Sequence, residues 1–185
     1  MKALLTALAL VAGSVLAAPT ERAPRAMQIS KVPELGLEIW SENQPPWDTE
    51  LSNATGRPSF VVHSPDGYHP PTVMTYTSFP KENVGQAQLA DMARSAIKRA
   101  SQNFGLGPAE VKRVMTQAAS YGALEGYEAT FEGRADGVPM DVTVFVGQAR
   151  GKFPVALSIY TLRGKIGTLN EQRRRAWGKL RYLAP

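Results

Sequence analysis

The chain has 185 residues, 21 of them basic and 16 acidic, for a formal net charge of +5. It contains no cysteine, which excludes a disulfide framework, a catalytic thiol and a lipid anchor carried on cysteine. Its apolar content of 43% is that of a globular domain, and no segment reaches the ~20 apolar residues of a membrane span.

Residues 1–17 have the parts of a cleavable export signal: Lys2, an apolar core over Ala3–Val11, and Val15-Leu16-Ala17 as a small-x-small cleavage site. Removing them takes the 21 basic residues to 20 against 16 acidic ones, so the mature chain keeps a positive balance. That balance favours acidic partners without selecting among them. The expected location is the periplasm, and the expected division is signal 1–17, flexible lead 18–33 and one domain over 34–185.

The lead is rich in Pro, Arg and Ala and shows no period. Gly36–Glu42 alternates apolar with polar residues and reads as a strand; Asn43-Gln-Pro-Pro-Trp47 breaks it. Arg57–Ser64 supplies a second strand, closed by Pro65-Asp-Gly, and Thr72–Phe79 a third. Asn83 is the expected cap of a helix with Gln86 as its capping-box partner. Leu89, Met92, Ala93, Ala96, Ile97, Ala100 and Phe104 form the helix's apolar stripe. Glu110–Ala119 fits either a short helix or a strand. Tyr127–Phe131 alternates, Asp136-Gly137 turns the chain, and Met140, Val142, Val144 and Val146 return on the partner strand. Val155–Leu162 reads as a further strand and Leu169–Leu180 as a final helix. Runs of strands with separate helices argue an α+β fold, an antiparallel sheet packed by one long amphipathic helix and a C-terminal helix.

This layout resembles the PsbP/Mog/DcrB-like superfamily. The carriers are Gly-Leu-Glu-Ile-Trp at 36–40, the 86–104 helix, Leu-Glu-Gly-Tyr-Glu-Ala-Thr-Phe at 124–131 and Arg-Ala-Trp-Gly-Lys-Leu-Arg at 175–181. The resemblance implies a binding, assembly or chaperone-like module, and a partner in place of a reaction. Fold likeness does not set function, which resides in sites.

Catalytic parts are scarce: there is no Gly-x-Ser-x-Gly elbow, and His63 and His69 are the two imidazoles. His63, Asp66 and His69 surround one turn and form a legitimate donor set for zinc, although their spacing matches no standard signature and an exposed turn collects such residues anyway. No cofactor is expected. Seven basic residues between Arg163 and Arg181 (Arg163, Lys165, Arg173, Arg174, Arg175, Lys179, Arg181) face one acid, Glu171. On a helix, Arg174 and Arg181 fall on one flank and Arg175 and Lys179 on the other, which argues against a nucleic-acid surface. The group is either a solvated face or a patch for an acidic protein. Trp47 and Tyr68, in proline-rich loops, are either recognition anchors or lids folded onto the core.

The expected function is non-enzymatic capture of another protein, as an inhibitor, an immunity protein against a toxic enzyme, or an envelope accessory. The alternatives are a small-ligand or lipid carrier with a pocket between the 86–104 helix and the sheet, and a zinc hydrolase. N-terminal sequencing of the exported protein is expected to begin at Ala18; recovery of an intact Met1 overturns the export reading.

Overall fold

In a computed structural model, the structure describes residues 26–53, 56–82 and 84–184, so the export signal, its cleavage site and the proposed cap Asn83 lie outside the described residues. Within them the alternating segments become ten strands: β1 (Met27–Val32), β2 (Leu37–Glu42), β3 (Asp48–Ser52), β4 (Ser59–His63), β5 (Thr72–Ser78), β6 (Gln117–Tyr121), β7 (Leu124–Ala135), β8 (Val138–Gln148), β9 (Val155–Leu162) and β10 (Arg181–Tyr182). Three helices accompany them, α1 (Gln86–Asn103), α2 (Pro108–Val111) and α3 (Asn170–Gly178).

The α+β class holds, but the strands form two antiparallel sheets where one was expected. Seven make a large sheet in the order β3-β4-β5-β9-β8-β7-β6, and β1, β2 and β10 make a small one. The large sheet is closed at its centre by β5 against β9, with Thr72 opposite Thr161 and Ser78 opposite Val155.

Alternation along the strands sends side chains to two different layers. On one face, Ala129 and Phe131 of β7 and Val142, Val144 and Val146 of β8 meet Leu89, Ala93 and Ile97 of α1. On the other, Val62, Met74, Tyr76, Phe145, Leu157 and Ile159 meet Leu37 and Ile39 of β2 and Ala176, Trp177 and Leu180 at the C-terminus. The centre of β8 is therefore covered on both sides, and every residue from Asp141 to Gly147 is buried. Each large side chain of α1's stripe contributes about 1.5–3 kcal/mol by leaving water.

Several expectations change. Within the supposed lead 18–33, Met27–Val32 is a strand paired with β2, from Met27 opposite Glu42 to Val32 opposite Leu37. Its apolar residues do not mark the inner face: Ile29 is exposed, while Val32 is buried. The long helix is capped by Gly85, whose N–H donates to Gln88 Oε1 at 2.9 Å, in place of the expected Asn83–Gln86 pairing. The ambiguous 110–119 segment is both things in turn, the end of α2 and then β6. β3 and β10 had no signal of their own; β10 is short and pairs with the longer β2, and β3 is an edge strand paired with β4, which has the same length.

Gly122 turns the β6–β7 hairpin at a φ of +59°, and a Cβ there would lie 2.1 Å from the Gly178 carbonyl oxygen at the end of α3. Gly137, at +81°, has nothing within 4 Å of such a Cβ. Gly137→Ala is expected to cost only the left-handed penalty of about 1–2 kcal/mol. Gly122→Ala should cost clearly more, because backbone must move; thermal denaturation of the two variants checks the order.

Candidate functional site

The basic C-terminal segment is where the sequence concentrates charge, and two of its seven cations, Arg173 and Arg175, turn inward. Trp177 is fully buried, and seating it brings both neighbouring arginines of α3 against buried acids. Arg175 Nη2 lies 3.6 Å from Glu42 Oε1, and Arg173 Nη1 lies 4.0 Å from Glu128 Oε2. Tyr121 donates to Glu128 at 2.6 Å; burial, and then this carboxylate, hold its phenol well above the usual range. Tyr68 donates to Glu42 Oε2 at 3.1 Å and receives a hydrogen bond from Gln172 at 3.3 Å.

Tyr68 and Trp47, proposed as recognition anchors, thus belong to the inner layer. Trp47 is 3% exposed, edge-on to the Tyr68 ring at 5.1 Å between centroids. Of the proposed patch, Arg163 is paired with Glu132 at 2.6 Å, and Lys179 sits 4.8 Å above the Trp40 ring. These two cations and Lys165, Arg174 and Arg181 are all exposed.

The His63–Asp66–His69 turn does not assemble as a metal centre. His63 lies on the face of β4 opposite buried Val62, with its Nε2 3.5 Å from Glu50 Oε1 on β3. Asp66 and His69 are exposed in the following loop, whose Tyr68 is drawn to the other side of the sheet. No group of three or more His, Cys, Asp or Glu side chains suited to a metal occurs among the described residues.

One concavity lies between α1 and the sheet, where the carrier reading placed a pocket. α1 packs over β7 and β8 and reaches Ala156 and Tyr160 of β9, leaving Ser158 and the same face of β5 partly open beside it. The helix edge facing them carries small residues, Ser95, Ala96 and Ala100, and the floor carries Thr75, Thr77, Ala156 and Ser158. Small side chains on both walls leave a trough of about 370 Å3. Met92 and Phe79 make it partly apolar, and Arg57 and Arg99 make it basic. Arg57 is held over the Phe79 ring at 4.9 Å and 3.6 Å from Glu82. The sequence reading placed Ala96 and Ala100 on the helix but missed the floor; the outward Thr75, Thr77 and Ser158, alternating with buried Met74, Tyr76 and Leu157, were its available signal.

No protein-family model and no curated protein sequence matches the chain. Solved structures do. A protein from Bacteroides thetaiotaomicron VPI-5482 superposes with a TM-score of 0.54 at 12% identity, over 86% of this chain and 49% of that one. The chain thus spans about half that protein's length. The cyanobacterial PsbP (CyanoP) of Synechocystis sp. PCC 6803 gives 0.54 at 13% identity, over 90% of this chain and 98% of that one. The fold is therefore PsbP-like, as the sequence resemblance implied; identities this low carry the fold alone.

The inward acids should reveal themselves energetically. Glu42, 3% exposed, faces Arg175 from the core side, and Glu171, 84% exposed, faces it from solvent. Glu42→Ala is expected to cost about 3 kcal/mol by stranding a half-buried guanidinium, and Glu171→Ala less than about 0.5 kcal/mol. Chemical denaturation of both variants distinguishes them.

Proposed function

We propose that the protein is a non-catalytic binding module that works in the periplasm and holds another protein in the trough between α1 and the open half of the large sheet. The observation carrying this reading is the asymmetric cover of that sheet. α1 seals β7 and β8, while Val73, Thr75, Thr77, Ser158 and Tyr160 on the same face of β5 and β9 stay partly exposed. A sheet face with half-buried β-branched and aromatic side chains, bordered by a helix, offers shape and apolar area without chemistry. Arg99 lines it and makes no ion pair among the described residues, which suits an acidic partner. Neutralising a toxic enzyme as an inhibitor or immunity protein, and serving as an envelope accessory, both require such a surface and no catalytic group.

A small-ligand carrier is the second reading, and the trough volume of about 370 Å3 favours it, being within the range of ligand pockets. Native mass spectrometry of the purified protein separates the two: a co-purifying small molecule supports the carrier.

A photoreactive residue at Ser95, on the trough wall, is expected to cross-link one protein from the envelope fraction in a discrete adduct. Ala96→Trp, which fills the trough, should reduce that adduct about tenfold or more while leaving the melting temperature within a few degrees. Adducts from position 181 in place of position 95 would move the site to the C-terminal basic residues.

A further inference from the structure

The end of α1 and the α2 turn carry a feature unrelated to the trough. After Gly107 caps α2, the chain runs through Lys112-Arg113-Val114-Met115-Thr116 into β6. Met115 is 80% exposed, against 50% for Ile29, 44% for Val138 and 42% for Leu51. Beside it lies a cleft of about 410 Å3, with Ile97, Val111 and Val114 at its base and Arg94, Lys98 and Lys112 among its lining residues.

The local acids are already engaged. Asp91 pairs with Arg94, and Glu110 accepts the Gly107 N–H at 2.7 Å. Lys98, Lys112 and Arg113 are exposed and make no ion pair among the described residues. The tip thus has one projecting apolar side chain, Met115, in the same segment as Lys112 and Arg113, with Lys98 lining the neighbouring cleft and none of the three cations in an ion pair among the described residues.

We propose that this tip docks the protein on an anionic lipid surface, with Met115 entering the headgroup layer and Lys98, Lys112 and Arg113 meeting lipid phosphates. The chemistry matches the layered order of a bilayer surface, in which anionic groups lie just outside apolar ones. A protein partner would be better anchored by an aromatic side chain, and the Arg94–Thr116 stretch holds one aromatic, Phe104, packed against Phe131 and Tyr160. One methionine is a weak anchor, so attachment depends on the cations and is reversible and sensitive to salt.

The test uses the processed chain from Ala18, since residues 1–17 are themselves largely apolar and the described helices and strands lie between Met27 and Tyr182. Co-sedimentation is measured with vesicles of phosphatidylcholine alone and with vesicles containing phosphatidylglycerol. Binding is expected only to the second, and to fall as salt rises. Lys112→Glu with Arg113→Glu should weaken it about thirtyfold, and Met115→Glu about tenfold. Arg181→Glu, outside the tip, should leave it unchanged. Equal binding to both vesicles, no binding to either, or binding that both tip variants leave intact overturns the proposal.

Discussion

The Trp177 indole joins the layers of this protein. It stands edge-on to Tyr121 at 5.0 Å and stacks on Phe145 at 6.2 Å, while Tyr121 and Phe145 are themselves edge-on at 5.0 Å. The three rings come from α3, β6 and β8, so one cluster fastens the C-terminal helix to the large sheet. Truncating such a buried ring costs about 3–5 kcal/mol, with ~1 kcal/mol per aromatic pair beyond area. The adjoining acid–arginine pairs are close to neutral in net energy once desolvation is counted. Ring packing therefore holds α3 down, and the ion pairs set its rotation.

That rotation explains why the C-terminal charges mislead when read along the chain. Arg173 lies 5.7 Å from both the Tyr121 and Trp177 rings, and Arg175 reaches a buried glutamate. Both belong to the protein's own interior, and their acids, Glu42 and Glu128, lie far away in sequence on β2 and β7. Helical spacing describes which residues share a flank; it holds no information on which distant acid a flank will meet.

Where local pattern and tertiary environment agree, the sequence is legible. The α1 stripe, the β7–β8 hairpin with its Asp136-Gly137 turn, and β9 stand close to where alternation and turn chemistry put them. β1 escaped because Ile29, its most apolar residue, points outward, and β3 because it is an edge strand with four of its five residues exposed. The trough was half legible. Its helical wall follows from the alanines, but its floor requires β5 and β9 to be neighbours, and they are about eighty residues apart in the chain.

That separation has a kinetic meaning. The pairing of β5 with β9 closes the longest loop in the large sheet, and such closures carry an entropic penalty ahead of any reward. The trough floor comes from both strands, so it is absent from a chain whose two halves have not yet met. Its appearance coincides with completion of the sheet. A partner that recognises this floor therefore discriminates finished molecules from nascent or truncated ones, and recognition itself acts as a readout of folding.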